Sequence, residues 1–241
     1  MTTHEPPLPR RAVLFDFFGT LVDFDPDLRR VGAPATHAAA RSLGYVGGHD
    51  EFVEQLDTAW SQLADESLRT MREFDAATAF TSFANAHLPA ATTRQIDTLA
   101  ADFSAEWTAH IRPIAGVAEM LGRLGPSWSI AIVSNTHSTS IVPSVMRSMG
   151  IDDVVDVVVL SVDHGWIKPH RSIYDAALSR LGADPATSWF VGDSLEPDYL
   201  GPRAIGMQSL LIDPQRRHEI PVDHRLDTVL DVEATIDLNA G

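Results

Sequence analysis

Five short apolar runs constrain this chain more than any other feature. They are RAVLFDF (11–17), WSIAIVS (128–134), VVDVVVLS (154–161), SWFVGD (188–193) and QSLLID (208–213). Each is rich in Val, Ile, Leu or aromatic residues and ends near a small or polar residue, the pattern of a short buried strand. The apolar residues are nearly continuous rather than alternating, which indicates strands covered on both faces. Helical patterns lie between them: GVAEMLGRLG leads into the second run, STSIVPSVMRSMG follows it, RSIYDAALSRLG separates the third and fourth, and EPDYLGPRAIGM precedes the fifth. This alternation predicts an α/β fold built on a doubly wound parallel sheet.

The interval 24–111 breaks the rhythm. It holds helical stretches such as DEFVEQLDTAWSQLADESLR, AATAFTSFANAHL and TRQIDTLAADFSAEWTAHI, and no strand pattern. That is too long for an ordinary crossover. The expected organisation is an all-helical cap, 24–111, inserted into an α/β core made of 1–23 and 112–241, with IRPIAGV marking the return. Trp60 and Trp107 fall in the insertion, where core packing is the expected role, and Arg69 and Arg72 read as solvated helix charges.

Composition narrows the function classes. The chain has 241 residues, 44% of them hydrophobic, enough for a well-buried core. It contains no cysteine, which excludes disulfides, thiolate catalysis and Cys-ligated metals. The net charge of -15 disfavours nucleic acid and anionic membranes as partners. The polar, Pro-rich MTTHEPPLPRR lacks the apolar segment of a signal peptide, and no run approaches the roughly 18 apolar residues of a membrane span. A cytoplasmic protein, monomeric or homodimeric, with a small-molecule substrate is expected. No Gly-X-Gly-X-X-Gly or P-loop pattern occurs.

Polar residues stand at four strand ends. Asp16 ends the first run, Ser134 and Asn135 the second, Lys168 follows the third, and Asp193 ends the fourth. Taken singly, each reads as a turn or a helix cap. As a set, they converge on one edge of the predicted sheet, where open α/β sheets bind ligands. Asp16 and Asp193 facing each other suit a hard cation such as Mg²⁺. Lys168 supplies positive charge beside a carboxylate nucleophile, and Ser134 with the following N–H groups can donate to phosphoryl oxygens.

In order, FDFFGT, VSNT, KPHRSIY and GDSLEPD resemble the four motifs of the haloacid dehalogenase superfamily, over nearly the whole chain. The helical insertion resembles its C1-type cap. The resemblance implies Asp16 as nucleophile, Ser134 and Lys168 as its catalytic partners, and Mg²⁺ held by Asp16, Asp193, Asp198 and the Phe18 carbonyl. Asp198 also matches the position that braces the lysine. Thr20 would support the loop around Asp16, with Asn135 and His137 lying near the substrate. The implied activity is hydrolysis of a small phosphorylated metabolite through an aspartyl-phosphate.

Phe18 departs from that pattern, because phosphatases of the superfamily carry an acid-base aspartate there. Such assistance is typically worth ~10²–10⁴-fold. Its absence leaves substrates with low-pKa leaving groups, or a proton donor from elsewhere. Among the histidines near strand ends or the insertion, His137 is the first candidate, ahead of His164, His170, His37, His49, His87 and His110. An aromatic residue at this place also resembles the metal-independent 2-haloacid dehalogenases, although GDSLEPD keeps a metal-binding layout. Two alternatives therefore stay open: a dehalogenase-like hydrolase attacking carbon without metal, and a catalytically lapsed binding or regulatory protein.

Overall fold

The computed structural model describes residues 10–23 and 33–238. The expected start of the insertion at residue 24 and residues 1–9 of the polar N-terminal stretch lie outside the described residues. In chain order come β1 (Arg10–Phe15), β2 (Val22–Asp23), α1 (Pro34–Ser42), α2 (His49–Thr70), α3 (Ala76–His87), α4 (Thr93–Thr108) and β3 (Arg112–Pro113). There follow α5 (Val117–Leu124), β4 (Ser129–Ser134), α6 (Ile141–Met149), β5 (Val157–Leu160), α7 (Ser161–His164), α8 (Arg171–Leu181) and β6 (Ala183–Gly192). The chain continues through a wide helical turn (Leu195–Leu200), α9 (Gly201–Ala204), β7 (Gln208–Ile212), β8 (Arg225–Leu226) and α10 (Val232–Leu238).

Six parallel strands form one sheet in the order β5-β4-β1-β6-β7-β8. The first strand in sequence is central, so the connections turn opposite ways on its two sides. That makes the switch point at which such sheets bind ligands. Register aligns the strand ends there: Phe15 lies opposite both Ile132 of β4 and Val191 of β6. Asp16 follows β1, Asp193 follows β6 and Ser134 is the last residue of β4, so the three stand at one edge of the sheet.

The pleat explains the unbroken apolar runs. Val13, Phe15, Ile130, Ile132, Trp189 and Val191 face one core with α5, α6 and α10, whereas Ala12, Leu14, Ala131, Val133 and Phe190 face another with α8. Alternate side chains of each strand are thus buried on opposite faces.

Helices α1–α4 form a separate apolar cluster that includes Phe52, Trp60, Phe80, Phe83, Leu99 and Phe103. Local chemistry sets their ends. Asp75 caps α3 through Thr78 N (2.7 Å), and Thr92 with Gln95 builds a capping box on α4. Helix α2 begins with Asp50 and Glu51, which complement its N-terminal dipole, and stops at Met71, whose φ of 58° is left-handed. The antiparallel pair β2–β3 joins the points where the chain leaves and re-enters the sheet, with Val22 opposite Pro113 and Asp23 opposite Arg112. Among the described residues, no helix is long and apolar enough to cross a membrane.

Candidate active site

Asp16 follows β1 directly and is 7% exposed. Its N–H donates to Val191 O (2.9 Å), which ties the residue to β6. The two carboxylate oxygens have different partners. Lys168 Nζ donates to Oδ1 at 2.7 Å, and Thr20 Oγ1 to Oδ2 at 3.2 Å. Thr20 is fully buried, so its hydroxyl orients the Asp16 carboxylate.

Lys168 is the charged hub. Its side chain is 2% exposed, and the ammonium donates to Asp198 Oδ1 at 2.7 Å as well as to Asp16. Asn135 holds the lysine backbone from both directions: Lys168 N donates to Asn135 Oδ1 (2.7 Å), and Asn135 Nδ2 donates to Lys168 O (3.1 Å). The end of β4 thereby fixes the loop that follows β5. Two neighbouring carboxylates raise the Lys168 pKa against the opposing effect of burial, so the group stays charged.

Asp198 arrives on the wide helical turn after β6. Ser194 N donates to its Oδ2 at 3.0 Å, and its own N–H donates to Ser194 O at 3.0 Å. Burial pushes its carboxyl up to about 7, with Asp16 adding to the rise and Lys168 opposing it. Burial and Asp16 also raise Asp193. Ligand oxygens of Asp16, Asp193 and Asp198 all lie within 4.8 Å of one another. Three convergent carboxylates around one ammonium form an oxygen donor set of the kind a hard divalent cation takes.

Two glycines make this crowding sterically feasible. A Cβ at Gly19 would lie 2.4 Å from Asp193 Oδ2, and Gly19 has a φ of +76°. A Cβ at Gly192 would lie 2.5 Å from Asp198 Cγ. Both carboxylates therefore occupy space that any side chain at those positions would fill.

Ser134 is fully buried at the end of β4. Beyond it, a cavity of about 350 Å³ opens between the sheet edge and helices α2 and α4, lined by Phe18, Trp60, Phe103, Trp107, Asn135, Thr136 and His137 among others. The Phe18 ring stands edge-on to Phe17 at 5.2 Å. Trp60 thus serves the core of the helical segment and the cavity wall together.

His137 is gripped by the helical segment. Its Nδ1 lies 2.8 Å from Glu73 Oε1, and its ring stacks on Phe74 at 4.2 Å. Glu73, with a side chain 1% exposed, also accepts from Ser161 Oγ, which in turn accepts from Thr136 N at 2.8 Å. Glu73 escaped the sequence reading because a lone acid between two helices carries no local signal; its partners are 64 and 88 residues away. Arg72 lies over Trp166 at 3.5 Å, and Trp166 stacks on His170 at 3.8 Å, so Arg72 is a docking residue as well as a surface charge. The other histidines have structural surroundings. His164 and His170 meet Ser172 Oγ, His37 packs near Tyr45 and His49, His87 packs near Phe83, and His110 is exposed.

Known proteins share this plan. A ribulose-1,5-bisphosphate 5-phosphatase of Halopiger xanaduensis is 28% identical over 232 residues, covering 90% of this chain and 95% of that one. Bovine haloacid dehalogenase-like hydrolase domain-containing protein 3 is 30% identical over 118 residues, a match spanning 46% of either chain. A 2-haloacid dehalogenase from Pseudomonas syringae shares the fold at a TM-score of 0.70 and 21% identity, with 95% of this chain and 99% of that chain covered. The family pattern of haloacid dehalogenase-like hydrolases matches residues 10–206. With that match over the segments that carry Asp16, Ser134, Lys168 and Asp193, the chain belongs to the haloacid dehalogenase-like hydrolases.

Proposed function

We propose that this hydrolase is a Mg²⁺-dependent phosphatase of a small phosphorylated molecule, working through an aspartyl-phosphate on Asp16. One observation carries the reading: Asp16, Asp193 and Asp198 converge within 4.8 Å beside a buried lysine. A site for carbon–halogen cleavage needs the nucleophile and the lysine but has no use for two further carboxylates, whose mutual repulsion is costly without a cation. The name of the Halopiger relative supports a phosphomonoester substrate.

Asp16, Asp193, Asp198 and the Phe18 carbonyl would hold the magnesium ion. When bound, it supplies positive charge that keeps the carboxylates ionised and offsets their repulsion of an anionic phosphate. Thr20 and Lys168 aim the Asp16 carboxylate, so that one oxygen attacks phosphorus in line with the leaving oxygen. Lys168 and Ser134 stabilise negative charge on the transferring phosphoryl group. Water then attacks the acyl phosphate, releases inorganic phosphate and restores Asp16. Helices α1–α4 act as a cap that closes over the site and selects the substrate.

Turnover of phenyl phosphate in the presence and absence of Mg²⁺ tests the reading, beside halide release from 2-haloacids. Phosphate release that requires Mg²⁺ and disappears in Asp16→Asn is the expected result. Halide release insensitive to chelator would overturn it. Mg²⁺ binding without turnover of any phosphate ester would replace it with a binding role.

A further inference from the structure

We infer that the cavity beside Phe18 receives a flat aromatic leaving group, making phosphate monoesters of phenols the substrate class. The inference rests on the phosphatase reading of Asp16 and narrows it.

The cavity beside Phe18 is small and walled by aromatic side chains. Its volume of about 350 Å³ is at the small end for a ligand pocket, room for a compact group. Phe18, Trp60, Phe103 and Trp107 provide four aromatic rings around it, with Ile141 and Ala64 between them. Aromatic rings favour edge-on and offset packing with one another beyond the gain from burial alone. Among the described residues lining the cavity, none is a lysine, arginine, aspartate or glutamate. A second phosphate entering such a space would lose its hydration without gaining a partner of opposite charge.

Ser104, on α4, has its hydroxyl donating to Ala100 O, and most polar lining residues lie along 135–138. There, Glu73 fixes His137 through Nδ1, and Nε2 has no hydrogen-bond partner among the described residues. That leaves one polar corner able to meet a ring substituent.

The chemistry of the leaving group points the same way, independently of the wall. Attack by Asp16 forms an oxygen–phosphorus bond and breaks the ester bond, so the leaving oxygen departs with the electron pair. Phe18 has no proton to give it. A phenol ionises near ~10, whereas an aliphatic alcohol resembles water, near ~15.7. A phenolate therefore departs as the anion and takes its proton from solvent afterwards. The residue that removes acid assistance is also one that gives the cavity an aromatic wall.

The experiment compares phenyl phosphate with cyclohexyl phosphate, which fills similar space but is neither flat nor acidic, and with ribulose bisphosphate. All are assayed on the Mg²⁺-loaded protein. Phenyl phosphate should lead cyclohexyl phosphate in kcat/KM by at least ~100-fold, the lower range of missing acid assistance. Ala64→Phe, which fills the cavity without removing a core side chain, should raise KM for phenyl phosphate roughly tenfold. Equal or faster turnover of cyclohexyl phosphate or the bisphosphate would overturn the inference, as would an unchanged KM in Ala64→Phe.

Binding separates this inference from the phosphatase reading. Phenylphosphonate, which cannot be hydrolysed, should quench tryptophan fluorescence and bind more tightly than cyclohexylphosphonate. If no ester is turned over but this preference holds, the phosphatase reading fails and the aromatic site stands. If esters are turned over without the preference, the aromatic site fails and the phosphatase reading stands.

Discussion

At the scale of single residues, Lys168 couples the parts of the site. It is buried and donates to Asp16 and Asp198 at 2.7 Å each. Removing one member of a buried charge group leaves the others uncompensated, typically at ~3–5 kcal/mol. Lys168→Met should therefore lower unfolding free energy by that order at neutral pH, measured by urea denaturation. Asp198→Asn in the same background should recover part of the loss, because it removes one unpaired carboxylate. Equal loss in the single and double variants would mean that Asp198 and Lys168 do not couple. Phe18 belongs to the same scale. Phe18→Asp places a carboxylate where none now faces the cavity, and should raise the ratio of cyclohexyl to phenyl phosphate turnover. A ratio unchanged in steady-state assays would mean that a different group already protonates the leaving oxygen.

At the scale of elements, the strands were legible because each carries its apolar residues within one short run. The match extends to their ends: Asp16, Ser134 and Asp193 stand where β1, β4 and β6 finish. Less legible was everything that depends on contact across the fold. The strand pair β2–β3 is two residues long on each side and has no pattern to detect. EPDYLGPRAIGM reads as one helix, yet it forms a wide turn and then α9, and this break delivers Asp198 to Ser194 N. Such wide turns concentrate at functional sites, where backbone geometry yields to side-chain placement. The link between helices α2 and α3 is the other case. Residues 71–75 dock on the sheet edge through Glu73 on His137 and Ser161, Ile167 N on Met71 O (3.0 Å), and Ala76 N on His137 O (2.8 Å). Glu73→Gln keeps the shape but loses the charge. It should speed hydrogen exchange at residues 71–76 and 136–138 while leaving β1 and β6 protected. Unchanged exchange would mean that the backbone bonds alone hold the link.

At the scale of the whole molecule, the acidic cluster ties stability to pH and, under the proposed function, to metal. The chain carries a net charge of -15, and the fold gathers three of its carboxylates behind one lysine. Burial raises Asp193 and Asp198 above the ordinary value of 3.8, Asp198 to about 7. A carboxyl raised by folding binds its proton more tightly in the folded state. Its contribution to stability is therefore full below about 3.8 and is lost as pH rises through about 7. Lys168, raised above 10.5, keeps its contribution throughout that window. One lysine only partly offsets the three carboxylates at neutral pH, and a divalent cation held there would act against the remaining charge. At 100 times its Kd, Mg²⁺ should raise Tm by roughly 5–10 °C near neutrality. The rise should shrink at mildly acid pH, where protons already occupy the carboxyls and compete with the cation. Calorimetric titration at neutral pH in two buffers of different ionisation enthalpy should show proton release on binding. Asp198→Asn should reduce both the Tm shift and the proton release. An equal Mg²⁺-induced shift at neutral and mildly acid pH would mean that the ion binds away from these carboxylates.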